Sequence, residues 1–333
     1  MGAGLCGLNG SGTEVAILLY STYIVPVMLY GLESLVLQDN EVEILEAFHR
    51  RNIRHILHLP SSTAAPALYL LSGCAPIKAL LHIRALGMFR NIADCQGKSN
   101  PVSFINNVIS RQIVMKSSTS YSWAAYIRRI LHKYNLPSAY DILLHPPSAN
   151  RWKRLIRTTV YDYWTTIFRT DAEKMSSLKY LRLERLEIGK LHSSLKGDTN
   201  QHSVSCTTIA TKLLVRRYPL SGSQVSGRKR DRCLLCKKGE EDEMHFLLHC
   251  EALQDTRLPL LTTLLQVIKE DRRSVNPEDL VEVILNPHDI YSTPQIIKLC
   301  RKLVYKLHSR RSELLLCPAA HPPVATLQSG SPN

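Results

Sequence analysis

The chain has 333 residues, with 42 Lys and Arg against 28 Asp and Glu, which gives a formal net charge of +14. Hydrophobic residues make up 44% of the sequence and charged residues 21%, and these globular proportions exclude a disordered or collagen-like chain. The nine cysteines are odd in number and too few for a secreted disulfide scaffold, while the excess of positive charge predicts a polyanionic partner such as nucleic acid.

The first 49 residues differ from the rest of the chain in charge. They contain six acidic and no basic side chains, a net of −6, whereas the remainder holds 42 basic and 22 acidic side chains, a net of +20. The uncharged stretch from Val15 to Leu32 is barely long enough to span a membrane, and Pro26 and Gly31 interrupt it. We therefore expect a buried helix pair there and no membrane. No secretory signal is visible, so we expect an intracellular protein, nuclear or cytoplasmic.

Apolar residues recur at helical spacing along most of the chain. Asn40 and Glu43 have the spacing of a capping box and predict a helix that ends before Pro60. Pro76 suits the first turn of the next helix. Further helices are predicted at about residues 121–134, 149–168, 177–195, 204–217 and 294–315, and one after a cap at Asn276. The sequence shows no sustained alternation of the β type, so the predicted fold is mostly α.

A cluster of cysteines and histidines is the most specific motif. Cys233 and Cys236 are separated by two residues, and His245 and Cys250 follow within a short loop. This spacing allows two thiolates, an imidazole and a third thiolate to surround one ion, and zinc prefers such soft sulfur and nitrogen ligands. Because four protein ligands leave no position for water, the predicted zinc is structural and not catalytic.

Two alternatives remain for this cluster. His249 lies four residues after His245, so it competes with Cys250 for the fourth place, although a thiolate binds zinc more tightly. The cysteines can also be buried packing residues beside incidental histidines. Four such residues within 18 positions, next to a basic run, favour the metal site.

A series of landmark segments begins at Gly7-Leu8-Asn9 and continues with Pro26–Glu33, Phe48–Arg54, Leu59-Pro60 and Ala67–Ile77. These segments resemble the region that follows the polymerase palm in LINE-type (non-LTR) retrotransposon reverse transcriptases. The Cys-Cys-His-Cys cluster, followed by Arg257, resembles the zinc-binding element near the C-terminus of the same polyproteins. The resemblance covers about residues 7–95 and 205–260.

The resemblance implies a noncatalytic, nucleic-acid-binding C-terminal fragment of such a polyprotein. Its divisions would be a thumb-like helical segment (1–95), a basic helical linker (96–218), the zinc element with C-terminal helices (219–316) and a disordered tail (317–333). Reverse transcriptases hold two metal ions with palm carboxylates that include an adjacent Asp-Asp pair. No such pair occurs here. We therefore expect no polymerase activity from this chain on its own and no small-molecule substrate.

Two groups of basic residues are predicted to contact RNA or DNA. Arg50, Arg51 and Arg54 belong to the thumb-like segment and either contact phosphates or form a solvated face paired with acids such as Glu46. The second group is the basic run before the zinc loop, which also suits a nuclear localisation signal. It consists of Arg228, Lys229, Arg230 and Arg232.

Aromatic residues are interleaved with the cations between residues 111 and 196, where 16 side chains are basic and 6 acidic. Such aromatics can stack on unpaired bases, but their helical spacing favours a place in the core. The alternative to a nucleic-acid-binding fragment is a helical protein-interaction scaffold with a structural zinc site. Binding that weakens with salt favours the first function, and salt-insensitive binding to protein alone favours the second.

Overall fold

The computed structural model describes residues 12–95, 101–115, 121–197, 200–220, 232–270, 277–290 and 293–316. The structure is 74% helical without strands over this part of the chain, apart from an isolated bridge between Arg232 and Glu240. The predicted mostly α fold is therefore confirmed. The Asn276 cap, the Gly7–Asn9 landmark, the run from Arg228 to Arg230 and the tail 317–333 lie outside the described residues.

The chain divides into two compact units, the first ending at Thr208 and the second beginning at Ile209. The predicted boundaries after residues 95 and 218 differ from this division and stay predictions. The helices up to the division are α1 (Thr13–Leu19), α2 (Val25–Met28), α3 (Asp39–Ile56), α4 (Ala65–Ser72), α5 (Ile77–Ala93), α6 (Pro101–Met115), α7 (Trp123–Lys133), α8 (Ala139–Leu144), α9 (Ala149–Glu173) and α10 (Gln201–Leu214), within which the division falls.

Helix α5 is the centre of the first unit, where it packs against α3, α6, α7, α8 and α9. Its buried side chains include Leu81, Leu86 and Phe89. Trp152 of α9 is buried against it, and the indole Nε1 donates a hydrogen bond to the carbonyl of Leu86 at 3.0 Å. Among the interleaved aromatic residues, Trp152 thus belongs to the core, because burial of a large ring stabilises this interface.

The second unit is built around the last helix. Its helices are α11 (Gln254–Glu270), α12 (Pro277–Leu285), α13 (Pro287–Ile290) and α14 (Pro294–Leu316). Helix α14 packs against α11 and α12. As the apolar spacing predicts, Ile296, Leu303 and Leu307 lie buried on one side of α14.

The predicted start of α3 is wrong by two residues. Asn40 lies inside the helix, and the cap is Gln38, whose backbone N–H donates to the Glu41 carboxylate at 2.7 Å. The earlier start also places Asp39 and Glu41 in the first turn, where the helix dipole favours acidic side chains.

The predicted helix at 177–195 is also wrong. This segment holds only three short 3₁₀ turns, Ser176–Leu178, Leu183–Arg185 and Ser193–Leu195. Its backbone finds partners in another part of the chain: Gly189 N–H donates to the Gly73 carbonyl at 2.7 Å, and His192 N–H donates to the Leu71 carbonyl at 2.9 Å. Leu178, Leu181, Leu186 and Leu195 are buried, but tertiary hydrogen bonds replace the helical ones.

The uncharged stretch near the N-terminus forms α1, a wide turn at Tyr20–Ile24, and α2. It is buried on one side only: Ala16 and Val25 are in the core, whereas Leu18 and Val27 are exposed. The expected buried helix pair is therefore corrected to a half-buried one. No described helix alone has the length and apolar composition to cross a membrane, and α4 with α5, bent by 56°, meets that test only as a pair.

Replacing Gly73 by alanine should destabilise the protein by at least about 2 kcal/mol. Gly73 has φ +67°, and an added Cβ would lie 2.4 Å from the Lys190 carbonyl oxygen; the left-handed conformation alone costs a side-chain residue about 1–2 kcal/mol. Gly87→Ala is the matched control, since a Cβ there meets nothing within 4 Å and should stabilise α5 by about 0.5–1 kcal/mol. Denaturant unfolding of both variants checks the pair, and equal stabilities would contradict the prediction.

Candidate metal centre

Four predicted ligands converge in the second unit. One ligand atom from each of Cys233, Cys236, His245 and Cys250 lies within 4.8 Å of every other. The Sγ atoms of Cys233 and Cys250 are 3.8 Å apart, and the Cys236 Sγ is 3.3 Å from the His245 Nε2. Three sulfur donors and one nitrogen donor thus surround a common point and could hold one metal ion.

The first two cysteines lie on a tight turn. The N–H of Cys233 donates to the Gly239 carbonyl at 3.0 Å, and the N–H of Lys237 donates to the Cys233 carbonyl at 3.0 Å. Lys237 and Gly239 have φ of 58° and 65°. These left-handed residues reverse the chain just after Cys236, so that both thiols approach the same point.

The other two ligands are positioned by a wide helical turn of the π type, His245–His249. The Asp242 carboxylate accepts the His245 N–H at 2.7 Å at the start of the turn. At its end the Cys250 N–H donates to the His245 carbonyl at 2.7 Å. A turn of five residues brings His245 and Cys250 close to the same side, and turns of this kind occur frequently at functional sites.

The structure brings Cys250 into the cluster, and the side chain of His249 is exposed. Burial lowers the pKa of His245, although Asp242 and Glu241 oppose this shift. The imidazole is therefore neutral at pH 7, with a lone pair for a metal ion. Burial and the neighbouring Cys233 and Cys236 thiols raise the pKa of Cys250 to about 12, so a metal ion bound here must displace thiol protons.

Two arginines support the cluster from outside it. Arg257 is buried, and its Nη2 donates to the Cys250 carbonyl at 2.7 Å. Arg311 of α14 donates from Nε and Nη2 to the two carboxylate oxygens of Glu241, at 2.9 and 3.2 Å. The second pair connects the loop between Cys236 and His245, which carries Glu241, to α14. Sequence reasoning missed Arg311, because no spacing rule connects residues 70 positions apart.

The residues of the first unit that are predicted to contact nucleic acid differ in their exposure and in their partners within the protein. Arg50 pairs with Glu43, and Arg54 Nη2 donates to the Thr63 carbonyl at 3.1 Å. Arg51 is exposed. In the basic run, Arg232 is exposed and described, whereas Arg228, Lys229 and Arg230 are among the residues that the structure does not describe. The roles of all seven residues stay predictions.

A basic surface that sequence reasoning did not single out lies on the first half of α9. Its members are exposed cations within two turns, and the first acidic residue of the helix is Asp162. We call this set the α9 basic surface: Arg151, Lys153, Arg154 and Arg157. The signal was present in the sequence as a cationic helix face without interleaved acids.

Comparisons with protein-family models, curated proteins and solved structures find no match to this chain.

Proposed function

We propose that this chain is a noncatalytic, nucleic-acid-binding C-terminal part of a non-LTR retrotransposon reverse transcriptase, with a structural zinc ion in its second unit. The observation that carries the proposal is the convergence of Cys233, Cys236, His245 and Cys250, directly after a basic run in the sequence. The landmark segments within residues 7–95 supply the resemblance on which the proposed family assignment rests.

Zinc fits the donor set in number, type and spacing. With zinc–sulfur bonds of about 2.3 Å in a tetrahedron, two thiolate ligands lie about 3.8 Å apart, and the Cys233 and Cys250 sulfurs are separated by 3.8 Å. A sulfur and an imidazole nitrogen would lie about 3.5 Å apart on the same geometry, and the Cys236–His245 separation is 3.3 Å. Four protein donors fill the tetrahedron, so the ion would hold the loop together without activating water.

Nucleic acid is the partner that the charge distribution favours. The residues after position 49 carry a net charge of +20, and the α9 basic surface presents four exposed cations. Phosphate contacts from Lys and Arg supply most sequence-independent affinity for nucleic acid. The expected activity is therefore binding to a phosphate backbone.

Salt dependence of binding tests the role of the basic run. Replacing its four members by glutamine should flatten the slope of log affinity against log salt by about 0.7–0.9 for each lost phosphate contact. Fluorescence anisotropy with labelled RNA and DNA duplexes, from low to physiological salt, measures this slope. The substituted residues are Arg228, Lys229, Arg230 and Arg232.

A control variant with the same change of net charge distinguishes a role of the basic run from an effect of the total charge. Four cations on exposed positions of α14 serve for it: Lys298, Lys302, Lys306 and Arg310. The control variant should keep the wild-type slope. If both variants flatten the slope equally, binding follows total charge and the basic run has no particular role.

Primer extension tests the noncatalytic part of the proposal. The chain is expected to bind a template–primer without extending it, because it lacks the Asp-Asp pair of the family's palm. Synthesis that depends on this chain alone would refute this assignment.

The second candidate function, a protein-interaction scaffold, is favoured by apolar side chains on the surface of the first unit. Leu18, Val27, Tyr30 and Ile44 are exposed, Val27 by 78%. A contiguous exposed apolar patch is typical of interaction sites, and this function requires these side chains to form one. Binding to a protein partner that persists at 1 M salt, in the absence of nucleic-acid binding, would favour this function.

A further inference from the structure

A cleft of about 670 Å³ in the first unit lies between α5, α7 and the segment that leads into α3. Its volume lies within the range of small-molecule sites, about 300–1,000 Å³. None of the residues predicted to bind metal or nucleic acid lines it. The cleft is therefore separate from the sites described above.

Positive charge dominates the lining of this cleft. Lys78, Arg129 and Lys133 contribute three cations, and Asp39 contributes the one acidic side chain. The Asp39 carboxylate is 94% exposed and lies 3.0 Å from the Lys78 Nζ. Burial, together with Lys133 and Lys78, lowers the pKa of the lining His82 to about 3, so this histidine is neutral. The net charge of about +2 favours an anionic ligand.

The aromatic neighbours of Lys133 hold its ammonium group in place. Its Nζ lies 5.0 Å from the ring centroids of Tyr163 and Trp164 and 5.6 Å from that of Tyr134. Such cation–π contacts fix the charge without neutralising it. Burial and the nearby Lys78 lower the pKa of Lys133. An anion bound between the two lysines would relieve their repulsion.

Two tyrosines give the cleft an aromatic wall beside its cations. Tyr121 is 91% exposed, and Tyr126 is half-buried, with its ring 6.0 Å from that of His82 in an edge-on arrangement. Both line the cleft. Aromatic faces next to cations suit a nucleobase attached to a phosphate, since stacking contributes about 1–3 kcal/mol per base.

We infer that this cleft binds one nucleotide, with its phosphate at Lys78, Arg129 and Lys133 and its base against Tyr121 or Tyr126. The nucleotide can be a unit of a bound single strand or a free nucleotide, because the two present the same phosphate and base. If the nucleotide is a unit of a bound strand, the inference rests on the proposed function, and the cleft is one subsite for that strand.

Calorimetry on the full chain with adenosine 5′-monophosphate, adenosine and inorganic phosphate tests the cleft. We expect the monophosphate to bind more tightly than either part alone. The variant Lys78→Gln/Arg129→Gln should weaken its binding at least about tenfold, which corresponds to 1.4 kcal/mol. Lys133 is left in place because its ammonium packs on three rings. One of the single variants Tyr121→Ala and Tyr126→Ala should weaken binding of the monophosphate but not binding of inorganic phosphate.

The control variant is Lys174→Gln/Lys179→Gln, which removes the same charge from exposed positions of the first unit outside the cleft. It should bind the monophosphate as the wild type does. Equal weakening in the two variants, or no binding by the wild type, overturns the inference.

Photocrosslinking of 8-azidoadenosine monophosphate to the wild type needs no variant, and we expect labelling at Tyr121 or Tyr126. Labelling only outside the cleft overturns the inference.

Anisotropy with labelled ten-nucleotide single strands of RNA and DNA separates this inference from the proposed function. Strand binding that the cleft variant weakens, with the control unaffected, supports a strand subsite. Monophosphate binding without binding to these strands or to the RNA and DNA duplexes supports the cleft and refutes the proposed function. Strand binding by a wild type that binds no monophosphate refutes the cleft and leaves the proposed function standing.

Discussion

Replacing Cys250 by serine is expected to abolish metal binding and to unfold the loop between Cys233 and Cys250. Binding of zinc at structural sites of small modules is worth about 10–16 kcal/mol, and most of that energy is folding energy. We therefore expect the variant to lose at least about 3 kcal/mol of unfolding free energy. Elemental analysis of the purified chain measures the metal, and thermal unfolding with limited proteolysis measures the loop.

His249→Ala is the matched control for this variant. His249 is adjacent to Cys250 in the sequence, but its side chain is exposed and lies outside the cluster. The control should retain one equivalent of zinc and the wild-type melting temperature. Loss of zinc in the histidine variant, with retention in the serine variant, would show that His249 is the fourth ligand. A wild-type zinc content below half an equivalent would refute the site itself.

Replacing Arg311 by methionine is expected to cost about 3–5 kcal/mol, the usual cost of breaking a buried ion pair by removing one partner. The side chains of Arg311 and Glu241 are only 7% and 1% exposed, and two hydrogen bonds join them. Without the guanidinium, the Glu241 carboxylate would stay buried in the loop between Cys236 and His245 but lose its partner on α14. Equilibrium unfolding in urea measures this loss.

Two further variants distinguish the loss of the buried Arg311–Glu241 ion pair from a general destabilisation of α14. Arg310→Met removes the neighbouring arginine, which is exposed and pairs with Glu313 at 3.2 Å; an exposed pair contributes only about 0–1 kcal/mol. The double variant Arg311→Met/Glu241→Met removes both charges and should recover part of the lost stability. Similar losses in the Arg310 and Arg311 variants, or no recovery in the double variant, would contradict the role of the buried pair.

Periodicity predicted the helices whose burial is one-sided. The predicted helices at 121–134, 149–168 and 294–315 correspond to α7, α9 and α14, because each has an apolar face towards the core and a polar face towards solvent. Helix α4 was not predicted, because nearly all of its side chains are buried and no apolar and polar faces alternate along it. Helix α11 was not predicted, because Pro259 lies inside it.

The segment 177–195 shows how tertiary contacts override a helical pattern. Its apolar residues recur at helical spacing, but Gly189 and His192 donate their N–H groups to the Gly73 and Leu71 carbonyls. Backbone groups need partners, and a neighbouring segment can supply them as well as a helix can. The helical spacing therefore predicted the secondary structure of this segment wrongly, although Leu178, Leu181, Leu186 and Leu195 are buried.

The sequence by itself determined the metal ligand candidates, because Cys233 to Cys250 span only 18 residues and local turns suffice to bring them together. It also determined the mostly α fold and the separation of charge along the chain. Only the tertiary structure decided that Cys250 and not His249 joins the cluster, that Arg311 reaches Glu241, and that lysines and tyrosines from separate segments meet in one cleft. The contacts of Arg311 and of the cleft join residues distant in the chain, so side-chain packing and not spacing selects them. The choice of Cys250 depends on the local geometry of the wide turn at His245–His249.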